Sequence, residues 1–481
     1  MEAEVRARGD DDFRRRSSCG ADNRACGVVV GGPLIFPPFL LLLAMAVATL
    51  SLLAVLGVTL RAALFRAPAF VEFAAERVEA STPVTAWKRV IEAMTMLDLG
   101  ISPYSGDIFH ETPMIIYVFH FLVDCSELVF MVSLLQSLAL FCAVQQRWST
   151  GWPHERQKHE HRLYKVDTSP LLLDPRDTSY LPLRVAMAYL LNPYTILTCV
   201  ARSTCAINNL FIALSLLATL HGSILMMAVF LALATYQSLY PVMLIIPATL
   251  HMAQKHVKGE ARWRSPAFWA FATECVFAFL GCLAILLCLS FTLLESWDFL
   301  GATYGFMLSV PDLTPNVGLF WYFFTEVFEH FRLFFICIFQ INAFIYTVPL
   351  AVLLSKHPFF HMCLQVGLIA VFKSYPSVGD LALFLALLPM WTHLKCYLRN
   401  TLLVTCLLVV CSVLFPVLWH LWIFSGSANA NFYYATTLAF NTGQILLISD
   451  YLYAFLRREF HLFHGLRVKS DDGKDSYVLL K

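Results

Sequence analysis

The chain has 481 residues, of which 58% are hydrophobic and 14% charged, where a soluble domain carries about 25% charged residues. A formal net charge of +1 excludes the broad basic field that draws a protein onto nucleic acid. The 14 cysteines form no Cys-x-x-Cys pair and mostly lie inside apolar runs, which excludes a zinc-finger spacing and argues against a disulfide framework.

Apolar runs of spanning length recur from residue 34 to residue 455. A helix needs about 20 such residues to cross the roughly 30 Å hydrocarbon layer. The expected fold is therefore all-α: a polytopic helical membrane protein with about 12 transmembrane helices and interfacial helices on the lumenal side. Residues 1–33 are polar and rich in Arg, Asp and Gly, and are expected to form a disordered cytosolic extension. Residues 34–456 form the multi-spanning domain and 457–481 a cytosolic tail. The run 34–59 is longer than a cleavable signal allows, so it is expected to stay as an anchor. Arginines before it place the N-terminus in the cytosol.

Segment 61–112 carries seven acidic residues and forms the first lumenal loop, with an interfacial helix expected over 71–90. Span 113–144 contains Asp124 and Glu127, which are costly in hydrocarbon unless they face protein. The basic stretch 145–184 is cytosolic. Four short crossings are expected in 185–254, broken at Asn192-Pro-Tyr, His221-Gly-Ser and Tyr240-Pro. Residues 268–294 span again. The aromatic run from Gly318 to Leu354 exceeds one membrane thickness, so its start lies along the interface or its helix tilts. Two further crossings flank Lys373–Asp380, and a last pair, 401–424 and 433–455, flanks the turn Ser425-Gly-Ser-Ala-Asn-Ala-Asn431.

Four sets of polar residues are candidates for chemistry. Glu326, Glu329 and His330 are spaced to share one helix face, where they could hold a divalent metal or merely line a polar face. Asp98, Asp107, His110 and Glu111 in the first loop could supply an acid or base if brought together, or serve as turn and cap residues. Lys373 and Asp380 could meet a phosphate, although a snorkelling lysine and a helix cap account for them more simply. The uncharged turn 425–431 presents amides that both donate and accept, which suits sugar hydroxyls and phosphate oxygens; it could equally cap two helices. No cofactor motif occurs.

Several long stretches carry a resemblance. They include Leu97-Asp-Leu-Gly-Ile-Ser-Pro-Tyr-Ser-Gly, Tyr189-Leu-Leu-Asn-Pro-Tyr, Phe372-Lys-Ser-Tyr-Pro-Ser-Val-Gly-Asp, Phe415-Pro-Val-Leu-Trp-His-Leu-Trp and Leu446-Leu-Ile-Ser-Asp-Tyr. Over residues 58–481 the chain closely resembles the phosphatidylinositol glycan class U family, a subunit of the glycosylphosphatidylinositol (GPI) transamidase. The resemblance implies a non-catalytic membrane subunit in the endoplasmic reticulum, cleavage and transfer belonging to a cysteine-protease-like partner. It implies binding of the GPI lipid, of the attachment-signal tail of precursor proteins, or of both. Implied partners are subunits of classes K, S and T and the GPI attachment protein. The family's GPI-contacting asparagines match Asn429 and Asn431. The family also resembles lipid-linked mannosyltransferases in layout. The alternative reading is therefore a lumenal, polyprenyl-phosphate-dependent mannosyltransferase of GPI biosynthesis using Asp98 or Asp107. A transporter using Asp124 and Glu127 is a third reading, without an inverted repeat to support it.

Overall fold

Every regular element among the described residues is helical. The structure, a computed structural model, describes residues 38–122, 132, 135–147, 164–172, 175–257 and 265–466. The expected extension 1–33, Asp124, Glu127 and most of the expected tail lie outside them. Residues 38–45 belong to a first unit, Met1–Met45, and all that follows concerns the second, Ala46–Lys481.

Among the described residues, four helices are long and apolar enough to cross a bilayer alone: Ala48–Phe65, Pro266–Leu294, Glu329–Leu353 and Thr401–Ile423. A fifth crossing is possible where Tyr180–Leu190 meets Pro193–Val200 at 47°. Long helices among the described residues thus account for four or five of the roughly 12 expected crossings. The reason lies in the breaks. Pro193 starts one helix, Gly222 ends Cys205–His221 with φ +91°, and Pro241 is the second residue of the 3-10 turn Tyr240–Leu244 that follows Ile224–Gln237. A φ in that range suits glycine alone, and proline has no N–H to continue a helix.

Pro358–Phe372 lies at the centre, and each of its 15 residues is buried. A helix with no exposed face must be enclosed by its neighbours, and even its polar His361 and Gln365 are fully buried. It is about 22 Å long at 1.5 Å per residue. Gly367 lets its neighbours come close: a Cβ there would stand 3.0 Å from the Phe384 ring and 3.1 Å from Ile448.

The aromatic run breaks in two. Phe320–Glu326 and Glu329–Ile345 are separate helices, joined through extended backbone at Val327 and Phe328. The first folds back so that Phe320, Phe323 and Phe324 all pack on Phe339, with ring centroids 4.9–5.4 Å apart. Residues 71–90 also divide, into Pro68–Glu76 and Trp87–Asp98. Between them Pro83 and a hydroxyl-bonded turn, in which the Thr82 N–H donates to Thr85 Oγ1 at 3.2 Å, interrupt the helix.

The C-terminal hairpin forms as Thr401–Ile423 and Ala430–His464, with Phe415 and Phe440 in edge contact at 5.3 Å. The second helix runs past Phe455, so the boundary expected at residue 456 falls inside it. Arg458 is buried there and donates to the Leu171 carbonyl at 3.3 Å.

Two loops meet beside the hairpin. Gly318 donates its N–H to Asn316 Oδ1 at 2.7 Å, and a Cβ at 318 would stand 2.6 Å from Pro376 Cδ. Gly318→Ala is expected to cost about 1–3 kcal/mol by overpacking a rigid ring. A fall in the thermal unfolding midpoint of the solubilised protein checks this, and an unchanged midpoint refutes it.

Candidate functional site

The turn between the hairpin helices is built from backbone bonds and two asparagines that do different work. Ser425 N–H donates to the His420 carbonyl (3.1 Å), while Ser427 and Ala428 N–H both donate to that of Leu421 (3.0 and 3.2 Å). Gly426 takes φ +62°, which makes the reversal possible. Asn429 is the N-cap of the second helix, its Oδ1 accepting from Phe432 N–H at 3.4 Å. Asn431 caps nothing: its Oδ1 accepts from the Tyr322 hydroxyl. Both asparagines are exposed. Capping thus accounts for Asn429, and the bond from Tyr322 fixes Asn431.

Under the turn lies an aromatic shelf. Trp321, Tyr322, Trp419, Trp422, Tyr433 and Tyr434 form a continuous set of ring contacts with centroids 4.9–6.3 Å apart. Tyr322, Trp419, Trp422 and Tyr434 are half-buried; Trp321 and Tyr433 are buried. The Tyr433 hydroxyl donates to Glu79 Oε1 at 2.8 Å. Arg77 grips the same carboxylate with two N–H groups, Nε reaching Oε2 at 2.8 Å, and its guanidinium lies 5.7 Å from the Trp419 ring. Both members of this ion pair are buried. The Glu79 carbonyl also accepts from Val378 N–H at 2.9 Å, tying the first loop to segment 373–380.

That segment holds a second buried pair, Lys373 Nζ to Asp380 Oδ1 at 2.6 Å. Lys373 therefore does not snorkel. Ser377 caps the helix Val378–Leu387, and Asp380 reaches back to the Ser377 N–H at 2.8 Å in a capping box. A lysine whose partner lies inside the protein has no reason to extend toward water.

The first-loop acids are not brought together. Asp98 is exposed and pairs with His120 at 2.7 Å. Asp107 is exposed too. His110 is buried and stacked 3.4 Å from Phe306, with Nδ1 2.9 Å from the Ala302 carbonyl. Burial lowers its pKa below the ordinary histidine value. Glu111 is buried, accepts from the Thr204 hydroxyl, and burial pushes its carboxyl up to about 8. Across the loops Arg89 holds Asp312 at 2.8 Å. Burial works to raise the Asp312 pKa, but bonds from Thr314 and then Arg89 leave it lowered.

The expected shared face of Glu326, Glu329 and His330 does not exist, because the chain changes direction at 327–328 and the i, i+3, i+4 rule holds only within one helix. Among the described residues no group of three His, Cys, Asp or Glu side chains is placed to hold a metal ion. The sequence reading missed Arg77, Glu79, Tyr322 and Tyr433. One signal was available: Trp419 and Trp422, three apart on one helix face, point an aromatic edge at whatever packs beside the turn.

The family model described as "PIG-U: GPI transamidase subunit PIG-U" matches residues 55–440. A Homo sapiens protein named GPI-anchor transamidase component PIGU is 56% identical over 435 residues, 90% of this chain and 100% of the relative. Its Cricetulus griseus counterpart, with the same name, matches to the same extent. The GPI transamidase component GAB1 of Saccharomyces cerevisiae is 31% identical over 389 residues, 80% of this chain and 89% of the relative.

Proposed function

Because the chain belongs to the PIG-U family of GPI transamidase subunits, we propose that it is the non-catalytic part of that complex that receives the GPI lipid, with the turn at Asn429 and Asn431 meeting the glycan and phosphates. One observation carries the reading: Asn431 stands exposed at a helix start, oriented by Tyr322 and uninvolved in capping, above a shelf of tryptophan and tyrosine. Such rings offer flat apolar faces with polar edges, which suits a sugar lying at a bilayer surface. The relatives are named as transamidase components, which favours this reading over a mannosyltransferase. The separation of Asp98, paired with His120, from buried Glu111 agrees with it, since acid–base work needs its groups within reach of one substrate.

In this reading the protein resides in the endoplasmic reticulum membrane, beside subunits of classes K, S and T and the GPI attachment protein, and serves precursor proteins with GPI signals. It crosses the bilayer about 12 times. The four long helices and the bent pair account for some crossings. Shorter helices such as Cys205–His221, Ile224–Gln237 and Pro358–Phe372 account for others, their ends satisfied by neighbouring protein. The lumenal side carries the interfacial helices Pro68–Glu76 and Trp87–Asp98. Residues 1–33 and the distal part of 457–481 lie in the cytosol.

The test is photolabelling of the purified complex with a GPI analogue bearing a diazirine on its glycan. Labelled peptides are expected within 319–326 and 415–434. Label confined to other subunits, or to distant parts of this chain, refutes the reading.

A further inference from the structure

The ends of the hairpin helices away from the turn gather positive charge that the turn and its shelf do not use. Thr401–Ile423 is long and apolar enough to cross a bilayer alone, and Arg399 lies just before it. Arg457 lies about 39 Å along Ala430–His464 from Asn431, at 1.5 Å per residue. That distance exceeds the roughly 30 Å of the hydrocarbon layer, so both arginines stand at the height of the opposite leaflet's head groups. Leu402 and Leu403, exposed soon after Arg399, mark where the apolar surface begins.

The two guanidiniums converge on one ring. Arg399 stacks on Tyr453 with its guanidinium carbon 3.3 Å from the ring centroid, and that of Arg457 lies 5.9 Å from the same centroid. Arg457 also donates to the Tyr453 hydroxyl. Arg399 is exposed and Arg457 half-buried, so a ligand can reach both. Among the described residues no carboxylate forms an ion pair with either guanidinium. Asp450, one helical turn before Tyr453, is buried and committed to the backbone. Its oxygens accept from Arg399 N–H at 3.0 and 3.1 Å and from Asn400 N–H at 3.0 Å. Glu459 is taken by His357 at 3.1 Å and Arg458 at 3.5 Å. Asp450 thus balances at most one of two neighbouring positive charges. Holding like charges together costs free energy unless an anion joins them.

We propose that Arg399 and Arg457 bind the phosphate of an acidic phospholipid in the leaflet opposite the turn, with Tyr453 holding both guanidiniums in place. A guanidinium presents paired N–H donors that match two phosphate oxygens. A ring beneath its face leaves those edge donors available. The excess of one positive charge complements the single negative charge of a phosphodiester. A phospholipid fits better than a free anion, because Leu402 and Leu403 offer its acyl chains apolar surface beside the arginines. A choline head group would add another cation to the site and is disfavoured. The bound phosphate bridges the start of Thr401–Ile423 and the far part of Ala430–His464, and it acts independently of lipid at the turn.

The experiment places the purified complex in phosphatidylcholine vesicles and photolabels it with a phosphatidic acid analogue bearing a diazirine near its phosphate. Labelled peptides are expected within 395–403 and 450–464. Unlabelled phosphatidic acid should remove that label, and the same amount of added phosphatidylcholine should not. Arg399→Gln with Arg457→Gln should keep less than about a tenth of the wild-type label there, with label elsewhere on the chain unchanged. Equal competition by phosphatidylcholine, or full label in the double variant, overturns the site. Loss of label to about 10 mM inorganic phosphate at constant ionic strength assigns the arginines to a free anion and overturns the lipid. If the double variant does not assemble, the competition in the wild type decides by itself. Labelling by the GPI analogue at the turn is unaffected by these outcomes, so the two ideas fail separately.

Discussion

Cells that lack their own copy of this subunit and carry Asn429→Asp together with Asn431→Glu should display about tenfold less GPI-anchored protein at their surface than cells carrying the wild type. The reasoning separates capping from recognition. Aspartate caps a helix as well as asparagine does, so the start of Ala430–His464 survives the first change. Both changes put a negative charge where phosphate oxygens are expected and remove the amide donors. Losing one or two hydrogen bonds, each worth about 1 kcal/mol net, together with like-charge repulsion, amounts to a factor of ten or more in affinity. Co-purification of the other subunits should be unchanged, which distinguishes lost recognition from lost assembly. Normal surface anchoring by the double variant would refute the assignment of the turn. Tyr322→Phe should give a smaller loss, because Asn431 remains but is no longer held in one orientation.

The second large effect concerns stability. Glu79→Ala strands the Arg77 guanidinium in a buried setting and leaves the Tyr433 hydroxyl without its acceptor. Breaking one side of a buried pair costs about 3–5 kcal/mol. The thermal midpoint and the steady-state amount of protein should both fall sharply. Removing both charges, as Arg77→Met with Glu79→Leu, should cost less than Glu79→Ala alone, because no uncompensated charge remains. If the double variant is the less stable of the two, the ion pair is not what holds the shelf to the first loop.

How far the sequence could be read follows from the range of each rule. The hairpin was legible because two apolar runs flanking a polar turn are a local signal, and its helices form where those runs lie. The division of labour between Asn429 and Asn431 was not, because the partner of Asn431 is Tyr322, 109 residues away. Likewise Glu79 meets Tyr433 across 354 residues of sequence. The metal reading of Glu326, Glu329 and His330 applied helical spacing across a chain reversal that the packing of Phe320, Phe323 and Phe324 on Phe339 enforces. Lys373 was expected at the surface because lysine usually is; its burial depends on Asp380, whose place in a capping box was only half visible from spacing. The helices between residues 175 and 257 are shorter than spans because proline and glycine punctuate them, and hydropathy averaged over a window does not register such breaks.

The uninterrupted length of Ala430–His464 has a mechanical consequence. Its 35 residues make a rod of about 52 Å, longer than the roughly 40–45 Å of a bilayer with its head groups. It has no proline within it, and Arg458 is anchored near the opposite end. Such a strut has no hinge along it, so a displacement imposed at the Arg458 end is carried to the Asn431 end.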